Sequence, residues 1–405
     1  MRRLLLFLGL LAWACAACGS PASRTDEVRL WTGISDVEYP VLQQVVEAFE
    51  RQNPDVRVQL LKVPFEQLRN KFLIAAPADL GPDLLMGPQD WVGVLATAGL
   101  LSPLPPGHAP GADFLPATVE AVTFDGKPYA APLLLDCLAL FRNPELMPEA
   151  PTSLPDLVRK AVEIDRRGNG VRGFYYDLQD LYFSWAFFNA EGAYVFGTRD
   201  GRTDPYDVGL DTPGAVKAAL FLRSLRQEHQ LVPPGATLDI AKSLYLDRKA
   251  AVILNGPWML GDLRAAGVPY VIDPFPPTAE GRVPKPFVGV QGVMLNRRAA
   301  QREKALRLLD HLVSEESLVK LSDASGRPPA RRNALRVASR NPDIAAFARL
   351  AEGATPMPNH PAVQAVWAPM QQALELITTR PGLDAEAELH ATKQRILKKI
   401  QVMLE

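Results

Sequence analysis

The chain has 405 residues, of which 44 are basic and 45 acidic, and its formal net charge is −1. Single hydrophobic cores stop growing at about 250–300 residues, so this length predicts two structural units. The sequence has no long basic run of the kind that nucleic-acid-binding surfaces carry, so no nucleic-acid partner is expected.

The N-terminus has the layout of an export signal. Two arginines precede an apolar segment, Leu4–Trp13, which is too short to span a membrane and is followed by small residues. Ala16-Ala17-Cys18 matches a bacterial lipobox, except that Cys15 stands where leucine is usual. We therefore expect a signal peptide over residues 1–17, lipidation of Cys18 and a polar tether over residues 18–26. Cleavage without lipidation is the alternative.

The cysteines and histidines give no sign of a disulfide or a metal site. Beyond Cys18 the only cysteine is Cys137, so the mature chain is expected to have no internal disulfide. The five histidines are far apart, and neither a CxxC nor an HExxH motif occurs. We expect stability to come from packing, with neither a metal nor a cofactor.

Strand and helix patterns alternate along the first hundred or so residues. Hydrophobic periodicity predicts a strand around Val28 and Leu30, a helix over 42–49, a strand over 56–60, a helix over 65–76, a strand over 81–87 and a helix over 91–101. This order predicts a mainly parallel sheet with helices on both faces, in which ligands bind beyond the carboxyl ends of strands.

A second unit of the same kind is predicted between residues 170 and 290. Its strands are expected near Gly173–Tyr176, Ala251–Leu254 and Tyr270–Ile272, and helices predominate from about Ala300 onward. The sequence thus favours two α/β units followed by a helical C-terminal part.

Acidic and aromatic residues stand where several of these strands end. They are Asp90, Trp91, Asp136, Asp180, Tyr182, Trp185 and Trp258, with Trp367 on a later helical segment. An aromatic ring can cover the apolar face of a sugar, and burying about 100 Å² of it stabilises binding by about 2–3 kcal/mol. A carboxylate accepts hydroxyl hydrogens in charge-assisted bonds. Without a catalytic histidine or a metal set, this combination favours holding a sugar over cleaving it.

Some of these residues have a plainer structural interpretation. Trp185 in FSWAFFNA is expected to belong to the core. Asp90 is equally well explained as the N-cap of the next helix. Asp136 is different, because it interrupts an apolar run that no helix start follows, and burying it without partners would be costly.

Seven segments, taken together, resemble the maltose/maltodextrin-binding proteins of bacterial ABC importers, within the extracellular solute-binding protein family. They are GPDLLMGPQDW, APLLLDCLALFRN, DLQDLYFSW, EGAYVF, LNGPW, KPFVGV and MPNHPAVQAVW. The resemblance implies a periplasmic-binding-protein-like α/β fold, with two discontinuous lobes, a three-segment hinge and a ligand cleft between them. The implied crossings lie near 135–138, 288–291 and 340–342. The N-lobe would comprise 27–135 and 291–340, and the C-lobe 138–288 and 342–405.

The resemblance also implies a set of sugar contacts, namely Asp90, Asp136, Asp180, Tyr182, Trp258 and Trp367, with Asp36 and Trp91 as further contacts. The chain departs from the family at several places. Gly87 stands where the family has a tryptophan, Trp91 where it has an arginine, and Arg69-Asn70 where it has two acids. Val37 lies near the place of a family lysine. Trp91 is expected to replace part of the lost aromatic surface.

The implied function is extracytoplasmic capture of maltose or a maltodextrin and its delivery to membrane permease subunits driven by a cytoplasmic ATPase. The protein is expected to be an exported, lipid-anchored monomer and not an enzyme. The open alternatives are another sugar such as glucose or trehalose, a secreted glycoside hydrolase, and a structural or adhesive lipoprotein. The sequence leaves the identity and length of the sugar open.

Overall fold

A computed structural model describes residues 27–405, so the expected signal peptide, Cys18 and the tether lie outside the described residues. The strands are β1 Glu27–Thr32, β2 Arg57–Lys62, β3 Leu84–Pro88, β4 Leu101–Ser102, β5 Thr123–Phe124, β6 Lys127–Pro128, β7 Ala130–Cys137, β8 Ala139–Arg142, β9 Arg172–Tyr175, β10 Gly197–Arg199, β11 Arg202–Asp204, β12 Ala250–Asn255, β13 Val271–Asp273, β14 Phe287–Asn296 and β15 Thr355–Pro356.

The helices are α1 Tyr39–Gln52, α2 Phe65–Ala75, α3 Asp90–Thr97, α4 Pro116–Ala121, α5 Leu154–Asp165, α6 Leu181–Ala190, α7 Pro213–Gln227, α8 Leu238–Leu246, α9 Leu260–Ala266, α10 Arg302–Leu312, α11 Glu315–Ser325, α12 Arg332–Ala338, α13 Pro342–Glu352, α14 Trp367–Thr379 and α15 Ala385–Leu404. Two 3₁₀ helices, Pro257–Met259 and Pro361–Ala365, precede α9 and α14. None of the helices within residues 27–405 is both long and apolar enough to cross a membrane.

The strands form two main sheets, and both are mixed. In the larger one, of order β15-β14-β3-β1-β2, strands β4 and β7 also pair with β14. Strand β1 is parallel to β2 and β3, whereas β14 is antiparallel to β3, β4 and β7. In the smaller sheet, β13-β8-β12-β9, strand β12 is parallel to β9 but antiparallel to β8. The expectation of mainly parallel sheets is therefore wrong.

The alternation predicted for the first unit is confirmed, from β1 to α3 in chain order. Helix α1 forms because Leu42, Val45, Val46 and Phe49 recur on one face, which is buried against the larger sheet and α11. The antiparallel β14 was not predictable in the same way, because its apolar sequence carries no information about direction. It follows an irregular connection after β13, where no crossover helix forces a parallel pairing.

The buried apolar side chains fall into three clusters around the two sheets. The largest draws its buried members from 137–287 and 347–400, around the smaller sheet. The other two draw theirs from 28–135 and 290–334, around the larger sheet. Along the chain, membership of these clusters changes between Leu135 and Cys137, between Phe287 and Val290, and between Ala334 and Phe347. The first change coincides with Leu138, between β7 and β8.

Candidate functional site

Asp136 lies near the end of β7, next to the passage between the two sheets, and is almost fully buried. Its Oδ2 accepts a hydrogen bond from Gln291 Nε2 at 2.7 Å, and its Oδ1 accepts one from Arg327 Nε. Burial raises the pKa of the Asp136 carboxyl to about 7, and the hydrogen bond from Gln291 opposes that rise. The guanidinium in contact with Oδ1 favours the ionised form further, so Asp136 and Arg327 form a buried ion pair.

Arg327 joins Asp136 to a second buried acid, Glu38. Its Nη1 donates to Glu38 Oε1, while Glu38 Oε2 accepts from the backbone N–H of Ser35 at 2.9 Å. Burial lowers the pKa of the Arg327 guanidinium to about 9, which still leaves it charged at neutral pH. Two buried carboxylates and one buried guanidinium therefore share a network at the junction of the sheets.

Trp258 brings an indole from the smaller sheet to this network. It lies in the 3₁₀ helix that follows β12, and its ring folds back over Gly256. Arg327 Cζ is 5.7 Å from the centre of the indole, a cation–π distance. The side chain of Trp258 is only partly buried. Its ring is therefore held against Gly256 and Arg327 while part of its surface stays accessible to solvent.

Asp180 and Tyr182 lie at the start of α6. Asp180 is the N-cap of this helix, and its Oδ1 accepts from the Tyr182 N–H at 2.8 Å. Burial raises the pKa of the Asp180 carboxyl to about 6. The pKa of Tyr182 is raised well above its usual value, mainly by burial and further by nearby acidic groups that include Asp136, Asp180 and Asp90. The charges of three predicted site acids therefore all act on one phenol.

Phe287, the first residue of β14, is the centre of an aromatic cluster. Trp185 stacks on it with ring centres 4.5 Å apart, and Tyr182 stacks at 6.2 Å. Trp367 meets the same ring edge-on at 6.2 Å. Trp185 is buried and belongs to the core, as expected, whereas Tyr182 and Trp367 are only partly buried. The cluster thus brings together two predicted site aromatics that are 185 positions apart in the chain.

Asp90 is the first residue of α3 and not its N-cap, which is Gln89. Its Oδ2 accepts from Gln364 Nε2 at 2.9 Å, and Arg69 donates in turn to Gln364 Oε1. Burial raises the pKa of the Asp90 carboxyl, and the hydrogen bond from Gln364 opposes this rise. Arg69, which stands where acids were expected from the resemblance, therefore reaches Asp90 through one glutamine.

Trp91 occupies the space next to Gly87. A Cβ on this glycine would lie 2.6 Å from Trp91 Cζ3, so the indole fills the volume that a side chain at position 87 would need. Phe65 stacks against Trp91 at 5.6 Å and leaves it almost fully buried. The more accessible ring of this pair is that of Phe65, which is 45% exposed and was not predicted as a site residue from the sequence.

Asp36 lies on the surface, with a fully exposed carboxylate that pairs with Lys62 Nζ. The hydrogen bond from Lys62 and its charge lower the pKa of Asp36. Val37, expected near the place of a family lysine, instead packs against Gly261 of α9. Lys62, from the end of β2, supplies a positive charge to this loop.

The sequence did not predict a place in the site for Glu38, Arg327, Phe287 or Gln364. Glu38 looks like an ordinary acid before a helix, and Arg327 like one of several arginines in a polar loop. The two are 289 positions apart, and no local pattern signals their contact. Phe287 could have been predicted as a site residue, because it lies in KPFVGV, one of the segments that carry the resemblance.

What these residues share is a chemistry suited to a polar ligand with apolar faces. Partly buried aromatic rings lie close to carboxylates and to one fixed guanidinium. Among residues 27–405, no group of three or more histidine, cysteine, aspartate or glutamate side chains is arranged to hold a metal ion.

Comparison with known proteins agrees with this chemistry. A Thermus thermophilus maltotriose binding protein, solved with bound maltotriose, is 32% identical and superposes with a TM-score of 0.86, covering 92% of this chain and 100% of that one. The maltotriose-binding protein of Pyrococcus abyssi is 28% identical over 395 residues, 95% of this chain and 84% of the relative. The galactooligosaccharide-binding protein of Bacillus subtilis is 27% identical over 400 residues, 92% of each chain.

The model of one family, described as bacterial extracellular solute-binding protein, matches residues 44–349, well over half of the chain. The structural likeness confirms the periplasmic-binding-protein-like α/β fold that the resemblance implied. By both criteria, the chain belongs to the family of bacterial extracellular solute-binding proteins.

Proposed function

We propose that the protein captures maltose, maltotriose or a related short maltodextrin and delivers it to the permease subunits of an ABC importer driven by a cytoplasmic ATPase. The observation that carries the proposal is that partly buried aromatic rings are joined to acidic side chains: Tyr182 packs with Trp367 on Phe287 and its N–H is held by Asp180, while Trp258 is linked to Asp136 through Arg327. Rings that remain accessible can cover sugar faces, and the carboxylates can accept hydroxyl hydrogens. The relatives that bind maltotriose support this choice of sugar.

We propose that the sugar contacts are Asp90, Asp136, Asp180, Tyr182, Trp258 and Trp367, with Asp36 and Trp91 at the margin. The contacts of Asp136, Tyr182 and Trp258 link them to the junction of the sheets. Asp36 and Trp91 lie at the margin for separate reasons. Asp36 is fully solvated beside Lys62, and Phe65 covers much of Trp91.

The lobes that would close on the sugar are proposed as 27–135 with 291–340, and 138–288 with 342–405. The separate clusters of buried side chains support this division. In such an arrangement, closure is a hinge movement, and the sugar stabilises the closed state because it contacts both lobes only there.

We further propose that the protein is exported and anchored through a lipid on Cys18, that it acts as a monomer, and that it binds sugar without cleaving it. A retaining or inverting glycosidase needs two carboxylates that flank one bond, one of them a proton donor. The carboxylate of Asp136 instead accepts hydrogen bonds from Arg327 and Gln291. The carboxylate of Asp180 accepts a hydrogen bond from a backbone N–H at the N-terminus of α6. Hydrolysis of a chromogenic glucoside by the purified protein would revive the alternative of a secreted hydrolase.

The experiment that tests the choice of sugar is a thermal-shift screen with glucose, maltose, maltotriose, trehalose, sucrose and a galactooligosaccharide. A ligand at 100 times its Kd stabilises a protein by about 2.7 kcal/mol, which is easily detected. We expect maltotriose or maltose to give the largest shift. A larger shift with another sugar would reassign the substrate, and no shift with any sugar would contradict the function.

A further inference from the structure

We propose that Phe65 makes the site selective for ligand length, because its phenyl ring covers the apolar face of a third glucosyl ring when a maltodextrin longer than maltose binds. The inference deepens the proposed function and rests on it. It adds to the proposed sugar contacts a residue that was not predicted from the sequence, and it bears on the length of the sugar, which the sequence left open.

The position of Phe65 places it at the ligand-binding edge of the larger sheet. It is the first residue of α2, which begins shortly after β2 ends at Lys62. Helix α3, which carries Asp90 and Trp91, begins just after β3. Strands β2 and β3 both run parallel to β1, so their carboxyl ends lie at one edge of the sheet, where ligands bind in folds of this kind. Phe65 therefore shares an edge with Asp90.

The start of α2 also faces residues of the other proposed lobe. Burial is the main cause of the raised pKa of the Asp180 carboxyl, and the charge of Glu66, the residue after Phe65, adds to it. Arg69, one turn further along α2, donates a hydrogen bond to Gln364 in the 3₁₀ helix before α14. Phe65 therefore begins a helix that borders the proposed cleft.

The ring of Phe65 is supported on one face and accessible on the other. Trp91 stacks against it with ring centres 5.6 Å apart and an interplanar angle of 29°. The backbone passes close to it at Gly33, where a Cβ would lie 3.3 Å from Cδ2 of the phenyl ring. Phe65 is nevertheless 45% exposed, whereas Leu68 and Phe72 of the same helix are buried. The phenyl ring is thus held in place while part of its surface stays open to a ligand.

The number of separate aromatic surfaces suggests the length of the ligand. Trp258 forms one, and Tyr182 and Trp367, which pack on the same phenylalanine, form another. Phe65, supported by Trp91, forms a third. A flat aromatic ring covers one apolar face of a pyranose. Maltose has only two pyranose rings, so three aromatic surfaces suit a chain of three or more.

The competing interpretation is that Phe65 only covers Trp91. Single exposed apolar side chains are common on protein surfaces and need no function. Both interpretations predict some loss of stability when the phenyl ring is removed, because the indole of Trp91 loses its cover. They differ in the ratio of two affinities, since a purely structural role would change maltose and maltotriose binding alike. The matched control is Ile74, another apolar residue of α2, which is 78% exposed.

The test is calorimetric titration of maltose and maltotriose into the wild type, Phe65→Ala, Phe65→Tyr and Ile74→Ala, alongside their melting temperatures. We expect the wild type to bind maltotriose more tightly than maltose. Phe65→Ala should weaken maltotriose binding about tenfold and maltose binding by less than about twofold. Phe65→Tyr, which keeps the ring, and Ile74→Ala should keep the wild-type ratio of the two affinities.

An equal loss for both sugars in Phe65→Ala, or an unchanged ratio, would overturn the inference. So would a wild type that binds maltotriose no more tightly than maltose. If Phe65→Ala fails to fold, Phe65→Leu takes its place under the same criteria, because leucine still covers part of Trp91 but offers no flat ring. The wild-type titration separates this inference from the proposed function. If the wild type binds neither sugar, both fall; if it binds them, only the ratios bear on Phe65.

Discussion

The indole of Trp258 lies so close to Gly256 that a Cβ on the glycine would be 2.1 Å from Cζ3 of the ring. Trp91 lies over Gly87 in a similar way, with the corresponding distance 2.6 Å. Both sheets have a Gly-Pro pair at the end of a strand, Gly87-Pro88 as the last two residues of β3 and Gly256-Pro257 directly after β12. In each case a tryptophan just beyond the pair folds back over the glycine. This explains why an indole can follow a buried strand directly: the missing side chain makes room for it.

Gly256→Ala is therefore expected to displace the Trp258 ring and to weaken maltotriose binding about tenfold, or about 1.4 kcal/mol. Gly256 has φ −105° and ψ −179°, a conformation that alanine adopts freely, so the effect would come from the clash and not from backbone strain. Gly353→Ala is the control, because its φ is also negative and the nearest atom to a Cβ there is 3.9 Å away. Unchanged affinity and unchanged tryptophan fluorescence in Gly256→Ala would show that the ring does not depend on the glycine.

Asp136→Ala is expected to weaken maltotriose binding by more than tenfold, which corresponds to about 1.4 kcal/mol or more. The contacts with Arg327 and Gln291 add a second consequence. Removing one partner of a buried ion pair costs about 3–5 kcal/mol, so the melting temperature should fall as well. Calorimetry on the folded variant separates the two effects. A lower melting temperature with wild-type affinity would make Asp136 a structural residue only.

Sugar affinity is expected to rise with pH through about 6, the value to which burial raises the pKa of Asp180. Above this pH the carboxyl is ionised and accepts hydroxyl hydrogens in charge-assisted bonds, and below it the proton competes with the sugar. The check is to titrate maltotriose at pH 5 and pH 7.5 into the wild type and into Asp180→Asn. A pH dependence that is the same in both proteins would assign the effect to another group.

Cys18→Ala is expected to release the protein from the membrane fraction of the cell into the soluble exported fraction. The physical reason is that the lipid on this cysteine would insert into the membrane and hold the protein there. Fractionation followed by immunoblotting of both proteins tests this. If the wild type is already fully soluble after export, Cys18 is not lipidated.

Local sequence patterns predicted most of the elements. The spacing of Leu42, Val45, Val46 and Phe49 is enough to specify the helix α1, because one buried face suffices to define it. Strand direction was not predictable to the same degree. The long β14 pairs with β3, β4 and β7 through contacts that are distant in sequence, and its apolar residues would fit a parallel or an antiparallel neighbour equally well.

The candidate site shows the same limit. Asp136 was predictable because an acid that interrupts an apolar strand needs partners. The partners themselves, Arg327 and Gln291, were not, because they come from segments 191 and 155 positions away. Asp180 is the N-cap of α6, and burial also raises the pKa of its carboxyl. The sequence alone does not reveal that one residue has both properties.

Titration of maltotriose into the wild type, Trp258→Ala and Trp185→Ala is the most direct test of a sugar cleft built on Trp258. Binding to the wild type should be saturable and one-to-one. Trp258→Ala should lose about 2–3 kcal/mol of affinity with little change in melting temperature, because its ring is partly exposed. Trp185→Ala, which empties a buried site beside Phe287, should lose about 3–5 kcal/mol of stability instead. If Trp258→Ala melts as early as Trp185→Ala and binds maltotriose like the wild type, the claim is wrong.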